Sequence, residues 1–355
     1  MSKDWINIDQ VKHIKPKTKR ILFILKNRIY QKEYSQSYGL HNSADMVADY
    51  LEKSGNICKV VTVIDGNFID AEVHKFKPDI VIIEALWVTG KKLEELINIK
   101  QYKNIHWVIR VHSNVGFLAV ESRAYKYINE YIELNRKNII ISFNNKEFNE
   151  IMSSIYSYQF EYLPNIVRNT QLEDNHADHD SEILNIGCFG SPRILKNQLF
   201  QATCAILAAN KMDKILHFHI NGDIHTPSNP VIHNLKELFI GNPKHKLIIH
   251  GWLEHNRFEH LIKKMHLGLQ VSFTESFNIV VADFVVNKVP IVVGKTIDWM
   301  PNVAFASEVD FDDLTNKIIF VCHNHHGRKL LIELSEHALL KFNQESKKLW
   351  NTFLK

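Results

Sequence analysis

Apolar residues in this chain come in short runs, and the stretches between the runs carry apolar residues at helical spacing. The first run is Ile21-Leu22-Phe23-Ile24-Leu25, which predicts a strand buried on both faces. Runs at 59–64, 80–83, 106–111, 138–143 and 160–163 predict further strands. Between them, Met46, Val47, Tyr50 and Leu51 line one face of a helix over 42–53, which Gly55 stops. More helices are expected over 70–76, 93–99 and 119–134, with a short one before the strand at 160–163. From 168 to 181 the chain turns polar and acidic, with Glu173, Asp174, Asp178 and Asp180, and reads as a linker. The alternation then restarts. Strands are expected at 183–189, 216–220, 246–250, 267–271 and 290–293, and helices at 199–209, 230–239, 257–264 and 279–287. A helix over 328–354 ends the chain.

Apolar strands alternating with amphipathic helices build a mostly parallel, doubly wound α/β sheet. The pattern occurs twice, so it predicts two Rossmann-like parallel-sheet domains, 1–167 and 183–327, facing across a cleft. Residues 168–182 join them, and 328–355 form a terminal helix that packs back on the first domain. Ligands of such sheets bind beyond the carboxyl ends of the strands, so strand-end residues are the candidates for chemistry.

Composition narrows the setting. At 355 residues the chain is long enough for two cores, and 45% hydrophobic with 23% charged residues is a globular profile. The net charge of +4 permits a polyanionic partner without requiring one. Cys58, Cys188, Cys204 and Cys322 form no CxxC pair, and the first three sit in or beside apolar runs, which suits a reduced, cytoplasmic setting. The amino terminus carries no apolar signal-like core, and no uncharged apolar stretch has the length of a transmembrane segment.

The most informative segment runs from Val271 to Asp283. A strand ends, Glu275 follows, and a short loop opens a helix that carries Asp283 about two turns on. The amides of Phe277, Asn278 and Ile279 would lie at the helix N-terminus, where free N–H groups and the dipole favour an anion such as a diphosphate. Two carboxylates at this spacing can take different hydroxyl groups of one ligand. The bland alternative is a capping acid followed by an acid on a helix face.

This segment resembles the E-x7-E signature of family-four GT-B glycosyltransferases, with Asp283 in place of the second Glu. Other stretches carry the same resemblance. Tyr162-Leu163-Pro164-Asn165-Ile166-Val167 is similar to the family's entry into its linker, without the usual Gly. Ile186 to Asn197 is similar to the strand and loop in which an Arg and a Lys clamp the donor diphosphate, which implies that role for Arg193 and Lys196 beside Gly190. Asn221-Gly222-Asp223 and His250-Gly251-Trp252 resemble the turns around the nucleobase, and Trp252 would flank the base. Tyr38-Gly39-Leu40 resembles the family's glycine loop, with Gly39 as its one glycine. His112 after Arg110 and Val111 resembles the histidine whose imidazole or backbone touches the donor sugar near the reacting carbon.

The resemblance implies a retaining glycosyltransferase with a GT-B fold and a nucleotide-sugar donor, a UDP- or GDP-sugar, and no required cofactor or metal. It implies catalytic roles for His112, Glu275, Lys196 and Arg193. Donor contacts would come from Gly39, Gly190, Gly222, Trp252, Phe277, Asn278 and Ile279 as well, with Glu275 on the sugar and Asp283 on the ribose. Arg110, Asn114, Glu84 and Trp87 lie at comparable strand ends and would read the acceptor.

For the acceptor, the stretches Leu25 to Arg28, Gly39 to Ala44, Ile83 to Val88 and Arg110 to Glu121 resemble glycosyltransferases common in bacteriophage genomes, which implies a host cytoplasm. Some phage enzymes of this fold act on hydroxymethylated DNA bases. Lys12, Lys15, Lys17, Lys19 and Arg20, with Lys26, Arg28 and Lys32 beyond, would suit a phosphate backbone, and Trp87, Trp107 and Phe117 an extruded base. Polysaccharide, lipid-linked glycan and protein acceptors remain open, as do a non-catalytic nucleotide- or DNA-binding GT-B module and a sugar epimerase. Asp178-His179-Asp180 lies before a strand rather than after one, and His323-Asn324-His325-His326 has no partner pattern, so neither is read as a metal site.

Overall fold

The computed structural model describes residues 18–30, 33–35, 38–168, 177–178, 181–222 and 229–355. The basic residues of the lead-in before Lys19, together with Lys32, Asp223, His179 and Asp180, lie outside the described residues.

The first sheet has six parallel strands. They are β1 (Arg20–Lys26), β4 (Ile57–Val63), β5 (Ile80–Glu84), β6 (His106–Val111), β7 (Ile139–Phe143) and β8 (Glu161–Tyr162), in the order β4-β1-β5-β6-β7-β8. Between β1 and β4 lie a small antiparallel ribbon, β2 (Arg28–Tyr30) with β3 (Glu33–Ser35), and helix α1 (Tyr38–Lys53). Helices α2 (Ile69–Phe76), α3 (Gly90–Ile97), α4 (Val115–Leu118), α5 (Ala124–Glu133) and α6 (Lys146–Tyr156) complete this half. The strands alternate between two cores. Leu22, Ile24, Val81, Ile83, Trp107 and Ile109 pack on one face, and Ile21, Phe23, Ile80, Ile82 and Val108 on the other. Period-two side chains buried on both faces are what a near-continuous apolar run means in a covered parallel sheet.

The second sheet has five parallel strands: β9 (Ile183–Gly187), β10 (Ile215–Asn221), β11 (Lys246–His250), β12 (Leu267–Gln270) and β13 (Ile291–Val293), ordered β11-β10-β9-β12-β13. Its helices are α7 (Gln198–Lys211), α8 (Pro230–Ile240), α9 (His255–Ile262), α10 (Ile279–Val286), α11 (Phe311–His323) and α12 (His325–Phe353). The strand order reverses direction between β9 and β12, so the loops that leave these two strands flank the crevice where such sheets bind ligands. Gly187 and Gly268 pair across β9 and β12, and a Cβ at Gly268 would come within 2.7 Å of the Phe284 ring on α10. The two small residues let α10 pack close onto the sheet.

Besides the β2–β3 ribbon, where the pattern predicts a loop, three elements depart from the sequence pattern. The helix expected over 119–134 is broken into α4 and α5. Helix α1 starts at Tyr38 rather than at 42, which places Gly39 in its first turn. Helix α11 was not expected. Asp310 caps it by accepting from the amides of Asp312 and Asp313, and those two acids favour the positive end of the dipole.

Helix α12 spans both halves. Leu331 and Leu339 join the second core, and Trp350, fully buried, joins the first. The Trp350 indole donates to the Pro164 carbonyl at 2.9 Å. Asn343 accepts from the Val167 amide at 2.9 Å and donates to its carbonyl at 3.0 Å, mimicking a strand partner at the chain's crossover.

Candidate functional site

Two loops of the second domain carry the strongest sequence signals, and the structure knits them together. The Phe273 amide donates to the Leu195 carbonyl at 3.0 Å. Asn197, in a left-handed conformation at φ 55°, donates from its side chain to the Val271 carbonyl at 3.2 Å. Lys196 Nζ then lies 2.6 Å from Glu275 Oε1, with the two side chains only 12% and 11% exposed. Gly190 borders this lysine at φ 115°, a conformation that favours glycine. Its amide donates to Asn221 Oδ1 at 2.9 Å.

Beyond Glu275 the chain turns at Asn278, whose φ of 62° and ψ of 90° are tolerated by a short amide side chain better than by most. That side chain works in both directions. Its oxygen accepts from the Val281 amide at 3.3 Å, and its nitrogen donates to Gln270 Oε1 at 2.7 Å. Gln270 in turn donates to the Phe189 carbonyl at 2.6 Å, so the turn is referenced to β9. Phe277 is core: its ring stacks on Trp299 and Phe342 at 5.5 and 5.1 Å, and Trp299 Nε1 binds its carbonyl. Among the described residues nothing accepts from the amides of Phe277, Asn278 and Ile279, which open α10. Asp283 sits further along α10 and is 6% exposed. Burial pushes its carboxyl well above the ordinary aspartate range, and the neighbouring Glu259 of α9 adds to this.

The first domain meets these loops directly. Ser276 Oγ donates to the His112 carbonyl at 2.7 Å, and Asn144 Nδ2 donates to Ser276 Oγ at 3.3 Å. Asn145 reaches the Ser276 carbonyl at 3.2 Å and Asp298 Oδ2 at 3.3 Å. Asn114 donates to the Glu275 carbonyl at 3.2 Å. A Cβ on Gly39 would lie 3.7 Å from Ile279, so the first turn of α1 faces the start of α10. The Arg193 guanidinium stands 4.8 Å over the Phe117 ring at the rim. Val115, Ile194 and Phe273, beside it in sequence or across the same loops, are 55%, 74% and 44% exposed.

The remaining expected residues divide. Gly222 and Trp252 follow β10 and β11, on the other side of β9 from Glu275. A Cβ at Gly222 would meet Ile249 at 2.6 Å, so the turn needs its glycine. Trp252 is 48% exposed. The expectation that Arg110 and Glu84 read the acceptor is corrected by their burial, since neither side chain has exposed surface. Arg110 instead donates to Glu84, to the carbonyls of Leu163 and Pro164, and to Asn165 Oδ1 at 2.6 Å. Trp107 is likewise fully buried in the first core and does not reach a base. Asn114 is spent on the Glu275 loop and on capping α4. Trp87, half-buried, donates to the Glu84 carbonyl at 2.9 Å.

Glu84 also accepts from His112 Nε2, and Asn144 Nδ2 approaches His112 Nδ1 at 3.3 Å. Burial pushes the Glu84 carboxyl up, but Arg110 and His112 together outweigh it and hold it below the usual glutamate range. Burial and then Arg110 push the His112 imidazole down, more than Glu84 raises it. Ser276, Asn144 and Asn145 were not singled out by sequence. The strand-end rule that picked His112 would have found Asn144 and Asn145, directly after β7.

Among the described residues no cluster of three His, Cys, Asp or Glu side chains is placed to hold a metal ion. Nor is any helix among them long and apolar enough to cross a membrane. Two parallel-sheet domains, with strand-end loops facing each other over a shared cleft, match known structures over most of the chain. The fold is GT-B. A mutant of S. aureus TarM in complex with fondaparinux, α-GlcNAc-glycerol and UDP superposes with a TM-score of 0.62 at 12% identity, covering 80% of this chain and 58% of TarM. A trehalose-6-phosphate protein from E. coli bound with UDP-2-fluoro glucose gives 0.69 at 10% identity, covering 94% and 98%. A glycosyltransferase from Rickettsia africae gives 0.66 at 13% identity, covering 96% and 98%. This chain therefore spans little more than half of TarM and nearly all of the other two. No protein-family model matches the chain, and no curated protein is similar to it in sequence. At such identities the GT-B likeness is one of fold, and the chemistry has to be argued from the loops.

Proposed function

We propose that this chain is a glycosyltransferase that moves a sugar from a UDP-sugar to an acceptor hydroxyl with retention of configuration. The observation that carries the reading is the pairing of Lys196 with Glu275, next to the unpartnered amides that open α10. A diphosphate needs positive charge and free N–H donors, and both are here. Lys196 and Arg193 would neutralise the departing UDP, and the α10 amides would take its oxygens, so stabilisation is strongest where charge develops. Glu275 would bind sugar hydroxyls, and Asp283 the ribose, with Trp252 beside the base and His112 bordering the sugar. The acceptor hydroxyl would pass its proton to the departing phosphate oxygen while attacking from the same face. No protein nucleophile and no resident metal are then required. UDP is favoured as the nucleotide because TarM and the E. coli protein are complexes with UDP and a UDP-sugar analogue.

For the acceptor we infer a hydroxymethylated base of DNA. The basic lead-in (Lys12 to Arg20) and the +4 net charge support it, as does the Arg193–Phe117 pair, a planar cation on an aromatic ring beside the cleft. The test is a screen of UDP-, GDP-, ADP- and dTDP-sugars by thermal shift and nucleotide release, with and without hydroxymethylated DNA. Stabilisation by one donor, with release that rises only when modified DNA is added, is expected. A donor response indifferent to DNA would discard the DNA acceptor, and polysaccharide, lipid-linked glycan and protein would be tried next. No response to any donor would leave a nucleotide-binding module without turnover.

A further inference from the structure

Glu84, Arg110, His112, Asn144 and Ser276 form one unbroken polar chain, from the interior of the first domain to the donor loop of the second. Its members restrict each other's proton positions. Arg110 is a donor only, so it takes an acceptor face of Glu84. The remaining Glu84 oxygen also accepts, so His112 carries a proton on Nε2. Nδ1 faces the Asn144 Nδ2 donor, so it is the lone pair, and the ring carries one proton. An amide nitrogen has a second hydrogen, and Asn144 directs it at Ser276 Oγ. The Ser276 hydroxyl proton, left without competition, goes to the His112 carbonyl.

We propose that Glu84 is a positioning residue: it fixes the Nε2–H tautomer of His112, and that tautomer lets Asn144 hold Ser276 and so dock the donor loop against the first domain. Both imidazole nitrogens are engaged by the protein in this closed arrangement. His112 therefore serves as a strut that shapes the sugar side of the cleft through its backbone, rather than as a proton carrier. Only the kinetic part of this inference rests on the glycosyltransferase reading, since the tautomer is a property of the protein alone.

The test uses the full chain labelled with 15N-histidine, with the His112 resonances assigned by their loss in His112→Gln. Wild type is expected to show Nε2 protonated and Nδ1 bare. Glu84→Gln keeps an oxygen for Arg110 but turns an NH2 toward Nε2, so the two nitrogens are expected to exchange roles. An Nδ1–H then opposes the Asn144 NH2, and transfer should fall about tenfold or more with donor KM within about twofold. Adding Asn144→Asp to Glu84→Gln supplies an acceptor for Nδ1–H and for the Ser276 hydroxyl, which can turn from the His112 carbonyl to donate to it, and should recover part of the loss, which a merely structural role would not do. Wild type protonated on Nδ1, or a Glu84→Gln spectrum with the proton still on Nε2, would overturn the proposal. If Glu84→Gln does not fold, Asn144→Asp alone decides. Its carboxylate beside Nδ1 should draw a second proton onto the ring, and an unchanged spectrum would count against the proposal. A protein that moves no sugar yet shows these tautomers would refute the function and leave the positioning intact.

Discussion

Lys196 Nζ rests 2.6 Å from Glu275 Oε1, and the two side chains come from the loops that leave two neighbouring strands of one sheet, β9 and β12. In the proposed function each would be the other's placeholder for a ligand, the lysine for phosphate oxygens and the glutamate for sugar hydroxyls. The pair also explains how a donor-free site keeps two nearly buried charges.

The two halves of the pair should fail differently. Lys196→Ala is expected to lower kcat/KM by about a hundredfold or more, the order seen when one charge-stabilising donor is removed. It should also abolish the thermal shift caused by UDP alone. Glu275→Ala should leave that UDP shift in place and lose the extra shift given by the sugar. Intact donor binding and turnover in Glu275→Ala would dismiss the site.

Asp283 should trade stability for binding. Its carboxyl is raised by burial and by Glu259. A raised folded-state pKa means its contribution is fully present below the ordinary aspartate range and is lost as pH rises through the folded value. Asp283→Asn removes that loss, so the variant should melt above wild type, by a margin that widens with pH. UDP binding should weaken at the same time, because the ribose loses the carboxyl proposed to hold it. Melting curves and UDP titrations at mildly acid and mildly alkaline pH check both signs. A variant less stable than wild type at alkaline pH would contradict the argument.

Arg110→Ala should be among the most damaging substitutions. It leaves Glu84 buried with no cation, and breaking such a pair costs about 3–5 kcal/mol. Glu84 is held below its usual range, so its contribution is present above the unfolded glutamate value and is lost as pH falls through the folded one. Urea denaturation of wild type should therefore weaken on the acid side, and Arg110→Ala should lose that part of the slope.

Trp350→Ala should cost about 3–5 kcal/mol, the range for a large aromatic removed from a core. The loss belongs to the first domain although the residue lies near the end of the chain, because Trp350 packs with Ile21, Phe23 and Val108. Hydrogen exchange should speed up in β1 and β6 more than in β9 and β12. Equal acceleration in both sheets would show that the two cores are not separately served.

Much of the fold was legible because runs such as Ile21 to Leu25 are apolar at every position, which only a strand covered on both faces requires. Helix α11 was not, since Asp310, Asp312 and Asp313 look like a polar loop until they are seen as cap and dipole partners. In the site, the segment around Glu275 was legible as a local motif. The placing of Arg110 and Glu84 was not, because what covers Arg110 is Trp350, 5.4 Å from its guanidinium and 240 positions later in the chain. Ser276 and Asn144 escaped for a like reason. Their meeting spans 132 positions and exists only once two domains are docked.

The chain passes between the domains twice, once near Val167 and once along α12, and Asn343 ties the two passages together with paired hydrogen bonds. Two connections fastened side by side act as a double pin. They restrict how the domains can shift and twist against each other more than a single tether would. The same double pin holds the two halves in the register at which Ser276 meets the His112 carbonyl.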